Sequence, residues 1–456
     1  MQDKMINDLT QGNVTKKLIL FSVPFILASL LQTLYSMVDM IVVGQFVGKA
    51  GVSAVSIGSQ SIQLLTAICM GFSTGGQILL SQLVGAKNEE GIQQTIGTMF
   101  TFILSISLVF TVVGIVFADF LLNFLNTPIE AFEAAKSYLV ICSLGMIFIY
   151  GYNVVCTILR GMGDSKRPLI FVFIAAVVNM VLDIIFVGPF KMGVAGAAYA
   201  TVISQALSFI FSIFFLMKYK EKFGFDFKRK SFRIHMSKLK PLITLGVPQA
   251  LQHGAVILSF MIVNSFMNEY GVVASAVSGI GFKLNSIVQI VTFAMSGAGS
   301  TMIAQNLGAN QPQRAKAVVN TSLFICLSFA GIVSVVCMTF PQFVFSLFNQ
   351  DAEVLAMAGT YMPYAVVSFF AFAFMAPYSS MVTGVGYAAM AFVVGLLDGI
   401  VARVGLSYLF GCILNLGLEG YWLGSASAGF VTGIISAVYY YSNKWKTRKL
   451  MFEERS

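Results

Sequence analysis

Long runs of mostly apolar residues recur along the chain, separated by short turns rich in Gly, Pro, Asn and charge. Twelve runs can be marked, at about 18–43, 53–80, 94–119, 134–158, 168–190, 194–219, 242–267, 273–300, 317–340, 356–382, 388–412 and 417–441. Each is near or above the ~20 residues that a helix needs to cross the hydrocarbon core of a bilayer. In lipid, backbone N–H and C=O groups must be satisfied within the segment, so runs of this length read as helices. The pattern predicts an all-α polytopic membrane protein with twelve transmembrane helices, here called spans 1–12. One connection, at 220–240, is long and basic.

The spans fall into two sets of six. Pro24 is matched 224 residues later by Pro248, and Ser81–Ala86 is matched 223 residues later by Ala304–Ala309. Tyr138 is matched by Tyr361, Gly161-Met162-Gly163 by Gly384-Val385-Gly386, and Gly193–Gly196 by Gly417–Gly420. With six spans per half, the second half enters the membrane in the same orientation as the first. The repeat is therefore parallel, with its pseudo-twofold along the membrane normal. The expected organisation is an N-terminal lobe (1–220), a basic cytoplasmic linker (221–240), a C-terminal lobe (241–445) and a cytoplasmic tail (446–456). Two similar bundles facing a central cavity suit alternating access by rocking.

Composition supports the membrane reading. Hydrophobic types make up 57% of the residues and charged types 10%, with a mean hydropathy of +0.84. A soluble domain carries about 25% charged residues. Net charge is +9, but its placement argues against a nucleic-acid partner. Of the 28 Lys and Arg, all but Lys49, Lys136, Lys191, Lys283 and Arg403 fall on one side of the predicted topology. That asymmetry puts both termini in the cytoplasm of a bacterial inner membrane. Lys16-Lys17 precedes about 26 mostly apolar residues, too long for a signal-peptide core. The six Cys lie inside apolar stretches without a CxxC pair and read as buried, inert thiols.

Charges inside a bilayer are costly and mark function by default. Asp39 lies near the outward end of span 1 and Asp183 near the outward end of span 5. Asn179 is one turn before Asp183 on the same face, and Thr201 is part-way down span 6. Two carboxylates, an amide and a hydroxyl suit Na⁺, because hard cations prefer oxygen. They suit H⁺ equally, because two close carboxylates in low dielectric cannot both ionise cheaply. Asp39 falls opposite Ile262 or Val263 in the repeat, and Asp183 opposite Leu406 or Ser407. The carboxylates are thus confined to the N-terminal lobe, and so is the expected ion site.

Lys283 in span 8 and Asp398 and Arg403 in span 11 are the intramembrane charges of the second half. A Lys283–Asp398 pair is expected, either fixing helix packing or serving substrate or proton coupling. Gln249, Gln252 and His253 follow Pro248 and are read as cavity-lining. So are Gln32 and Tyr35, below Asp39 on span 1, and Asn153 on span 4. Pro24 and Pro248 each remove a backbone hydrogen bond and are the expected hinges. His235, in the linker, is expected to be solvated. Gly161-Met162-Gly163-Asp164 matches the GxGD string of intramembrane proteases, but it sits in a basic turn and its repeat lacks the Asp. No P-loop and no metal-ligand cluster appear, so neither an ATP-driven pump nor an enzyme is expected, and no cofactor beyond the coupling ion is called for.

Taken together, these residues resemble the multidrug and toxic compound extrusion (MATE) transporters over about residues 10–445. The carriers are Val38-Asp39 with Gly44, Gln82–Ala86, Arg160–Asp164, Asn179 with Asp183, and Gly193–Ala198 leading to Thr201. The resemblance implies a V-shaped fold of two bundles. It also implies export of organic, often cationic, small molecules in exchange for H⁺ or Na⁺, with Asp39, Asn179, Asp183 and Thr201 as the cation site. Tyr138 resembles a Tyr of that region, and Pro24 a proline linked to bending of the first helix. A C-lobe cation site known in one branch is not matched, since Ala255 and a carboxylate-free 356–382 stand there. A monomer in the bilayer is expected. The alternative, a flippase for a lipid-linked saccharide, calls for several basic residues in the cavity, and only Lys283 and Arg403 qualify.

Overall fold

The computed structural model describes residues 7–453; Lys4 and Arg455, counted above with the basic side, lie outside the described residues. The helices run in chain order as α1 (Val14–Phe46), α2 (Lys49–Gly85), α3 (Glu89–Val116), α4 (Ala118–Phe124), α5 (Ile129–Leu144), α6 (Met146–Gly161), α7 (Lys166–Val187), α8 (Gly193–Lys218) and α9 (Lys220–Phe223). A 3₁₀ turn at Arg229–Phe232 precedes α10 (Met236–Asn268), α11 (Val272–Gly308), α12 (Pro312–Thr339), α13 (Pro341–Ser346) and α14 (Ala352–Val385). Then come α15 (Ala388–Leu396), a π-helical turn (Leu397–Ala402), α16 (Arg403–Tyr408), a second π turn (Leu409–Ile413) and α17 (Gly417–Tyr441).

Among the described residues, eleven helical segments are long and apolar enough to cross a membrane, twelve when α5 and α6 count as one span bent by 55°. Their outer faces carry large apolar side chains in the open, such as Leu34, Val112, Phe214, Ile332 and Val438. In water such faces would be sticky; in hydrocarbon they are the solvated surface. Span ends are closed by local chemistry. Asn88 accepts from the Gly91 N–H at 2.8 Å to start α3, and Asp351 accepts from the Glu353 N–H at 2.9 Å to start α14. The Asp of the GxGD string does similar work, accepting from the N–H groups of Lys166 and Arg167 at the start of α7 and pairing with the Arg167 guanidinium.

The repeat is written into the backbone. Left-handed positions recur at Gly48 and Gly271, Lys87 and Asn310, Gly163 and Gly386, and Gly193 and Gly417. Among the described residues, the first compact unit comprises residues 7–8 and 23–246, and the second 9–22 and 247–453. This differs from the lobe boundaries at 220 and 241. The first turns of α1 belong to the second unit and the start of α10 to the first. Both divisions fall beside a proline, Pro24 or Pro248, and α1 and α10 stay helical through them.

Within the first unit the linker is not a loose tether. Phe225 and Phe232 stack edge to face at 5.2 Å and both lie against Phe100 of α3. Thr101 donates to the Phe232 carbonyl at 2.5 Å. His235, expected to be solvated, donates its backbone N–H to Thr98 at 3.1 Å. Apolar rings buried under a basic rim hold this strap in place. Five cysteines are buried, whereas Cys412 is exposed, because it lies on an outward face of the second π turn.

Candidate functional site

The first unit carries an open cavity of about 770 Å³. Polar side chains of α1 and α2 line one side. On α2 they are Ser56, Ser59, Gln60, Gln63 and Thr66, a stripe spaced every three or four residues, hence on one helical face. Of the side chains singled out from the sequence, Gln32, Tyr35, Tyr138 and Asn153 line this cavity, together with Asp39 and Thr201. Its size fits the range of drug-sized ligand pockets.

Asp39 is 5% exposed and Asp183 is fully buried. α1 and α7 bring their carboxyl groups within hydrogen-bonding reach of each other. Asn179 donates to the Thr201 hydroxyl at 3.5 Å, and Ser59 donates to Tyr138 at 3.2 Å. The acceptors outnumber the donors. Asp39 Oδ1, both oxygens of Asp183, Asn179 Oδ1 and Gln205 Oε1 are buried and meet no hydrogen-bond donor of the protein. A buried acceptor without a donor costs about 1–3 kcal/mol, more when charged. A cluster of this composition has the donor set to take a cation or a proton among its oxygens.

Sequence reasoning missed the α2 stripe, Arg160 and Gln205. The stripe was legible as a 3.6-residue polar period inside an apolar run, and Gln205 as the residue one turn beyond Thr201. Arg160, whose guanidinium lies 4.5 Å from the Phe25 ring centre, carried no such signal.

The second unit is arranged differently. Asp398 pairs with Arg403 (3.3 Å), not with Lys283. Lys283 is exposed, with its Nζ 5.7 Å from the Phe348 ring centre. The physical reason is the π turn. Its i→i+5 hydrogen bonding stacks residues five apart, which an ordinary α-helix would point to different sides. Arg403 also donates to the Ser425 carbonyl at 3.3 Å and lies 4.2 Å above the Phe260 ring. Gln249 is buried and Gln252 half-buried against Gly395, while His253 is exposed. These three residues, Lys283, Asp398 and Arg403 do not line the large cavity, which belongs to the first unit. A small cavity of about 20 Å³ in the second unit is walled by Phe260, Asn285, Tyr361, Trp422 and Ser425.

A family model described as MatE matches the chain twice, over residues 24–185 and again over 248–409. A probable multidrug resistance protein, YpnP, of Bacillus subtilis (strain 168) is 30% identical over 454 residues, covering 98% of this chain and 99% of that protein. A second from the same organism, YoeA, is 30% identical over 446 residues, covering 97% and 96%. A solved structure described as an outward-facing conformation of a multidrug resistance MATE family transporter superposes with a TM-score of 0.89 at 22% identity, covering 97% of this chain and 98% of that one.

Proposed function

Because the chain belongs to the MatE family of multi-pass membrane transporters, we propose that it is a secondary active exporter of organic, drug-like compounds, driven by inward movement of H⁺ or Na⁺. The observation that carries this reading is the group of donor-less buried oxygens around Asp39 and Asp183, set beside a drug-sized cavity in the same unit. Ion and substrate then act on one shared wall. A proton or Na⁺ taken up between the carboxyl groups satisfies the oxygens and redraws the α1 side of the cavity. Substrate and ion bias one two-state equilibrium in opposite directions, which is what exchange requires. Each charge moved through 100 mV contributes about 2.3 kcal/mol. Pro24 and Pro248, beside the divisions between compact units, are the proposed points of bending. Termini in the cytoplasm of a bacterial plasma membrane, supported by the one-sided distribution of Lys and Arg, and a monomeric exporter complete the proposal.

The test is efflux of a cationic dye from vesicles holding the purified protein, with a pH gradient or a Na⁺ gradient imposed one at a time. Efflux under at least one gradient is expected. Equal rates with and without both gradients would remove ion coupling from the proposal.

A further inference from the structure

The two copies of the repeat differ by one residue at an informative place. The left-handed glycines before spans 5 and 11, Gly163 and Gly386, are 223 positions apart. The turns closing these spans are 224 apart and hydrogen-bonded alike. Phe190 donates to the Ile185 carbonyl and Met192 to that of Phe186, as Leu414 does to Leu409 and Leu416 to Phe410. The second copy therefore carries one extra residue between 387 and 408. The π turn Leu397–Ala402 lies in that interval, and a turn closed i→i+5 holds one residue more than an α turn. Beyond it the offset is 224, the same offset at which the family model ends its two matches, at 185 and 409.

At that offset Arg403 stands where the first unit has Asn179, Ser425 where it has Thr201, and Ser407 where it has Asp183. The contacts agree. Asn179 reaches Thr201, and Arg403 reaches the Ser425 carbonyl. Gly58 lies against the Tyr138 ring, and Gly281, at 223, against Tyr361. The first unit thus gathers buried oxygens without a cation of its own, and the second places a guanidinium, 2% exposed, at the matching spot. Its counter-charge, Asp398, has no carboxylate counterpart, since Ala175 occupies the matching place before the extra residue. The π turn is what brings Asp398 over Arg403.

We infer that the second unit holds a duplicate of the cation site in which Arg403 is a permanent, covalently attached occupant, so that Asp398 and its surroundings are closed to exchangeable ions. The inference deepens the ion-site reading of the first unit and rests on it for the word duplicate, but its test is read in the second unit alone. It makes Arg403 a specificity-determining residue: its charge and bulk restrict ion exchange to one lobe. Removing the guanidinium while keeping Asp398 should open a site for Na⁺ or H⁺.

Trp422 is a native reporter. It shares the small cavity with Phe260 and Ser425, both of which touch Arg403, and donates to Ser278 at 2.8 Å. The only other tryptophan, Trp445, is replaced by Phe in every arm. Other charged and titratable groups near this stretch include His253 on α10, Glu269 in the turn after it, Tyr361 and Tyr364 on α14, Tyr408 on α16, and Glu419 and Tyr421 on α17. The Asp398 control separates them from the response. Trp422 emission of the full-length protein in detergent is followed through Na⁺ and pH titrations. The parent and Arg403→Lys are expected to stay flat, Arg403→Gln to show a saturable shift with at least one ion, and Asp398→Asn/Arg403→Gln to be flat again. A flat Arg403→Gln, or a response in the parent that Asp398→Asn removes, overturns the inference. If Arg403→Gln accumulates poorly, recovery of folded protein in the double variant supports a carboxylate stranded without its occupant, and no recovery overturns it. Dye efflux plays no part in these readouts, so failure of the first-unit reading would be seen separately.

Discussion

Two regions built from one repeat handle buried charge in opposite ways. The first unit presses two carboxyl groups together and leaves three of their four oxygens buried without donors. The second sets one carboxylate against one guanidinium and adds a carbonyl and a ring face. Their helical irregularities are also exchanged. The first unit breaks span 4 at Gly145 with a 55° bend and keeps span 5 regular, whereas the second keeps span 10 continuous through Pro363 and Pro377 and rewinds span 11. A local departure from α geometry thus accompanies each polar site. The difference teaches that a repeat conserves helix paths more strictly than it conserves which copy does the work.

The largest expected effect is on transport. Asp39→Asn and Asp183→Asn should each abolish gradient-driven dye export while the protein still inserts and purifies normally. Asp398→Asn should retain export per folded molecule. Export lost equally in all three would erase the contrast between the units.

Stability should divide the units in the reverse sense. Asp398→Asn leaves the Arg403 charge buried and uncompensated, a change that costs about 3–5 kcal/mol. Asp183→Asn replaces one of two crowded, donor-poor carboxyl groups with a neutral amide and should leave the melting temperature unchanged or raise it. Thermal unfolding in detergent checks both, and a fall in Asp183→Asn as large as in Asp398→Asn would go against the distinction.

A smaller effect is expected at the span 4 break. A methyl group on Gly145 meets the Val202 side chain, and overpacking of this kind costs about 1–3 kcal/mol. Ser368→Ala, at the matching position of the unbroken span 10, should cost about 1 kcal/mol or less. The smallest effect separates side chain from backbone. Thr201→Val removes the hydroxyl that Asn179 reaches and should weaken the apparent ion affinity of efflux about tenfold or less, since one hydrogen bond is worth about 1 kcal/mol. Ser425→Val keeps the carbonyl that Arg403 uses and should leave ion affinity unchanged.

The spans were legible in the sequence because lipid enforces long apolar runs, and the repeat because prolines, glycines and the Gln-containing turns recur at one spacing. Asp39 and Asp183 stood out for the same reason: few charges survive in such runs. What stayed hidden depended on geometry finer than the α period. Lys283 looked like the partner of Asp398 because counting by 3.6 carries Arg403 away from it, and only the π turn restores the pair. The break at Gly145 lies against Val202, a residue far along the chain, so its close packing could not be read locally. The packing of Phe225 and Phe232 on α3 was masked by the nine Lys and Arg that surround them, which read as a solvated run.

The allocation of residues 9–22 to the second unit has a consequence for biosynthesis. Gln305 receives the Leu9 N–H at 3.2 Å, and Arg314 donates to the Gly12 carbonyl at 2.9 Å. The ribosome releases the amino-terminal stretch long before it has made either acceptor or donor. That stretch must wait, unlatched, while some three hundred further residues are threaded into the membrane, so its seating reports that the end of α11 and the start of α12 have been made and placed.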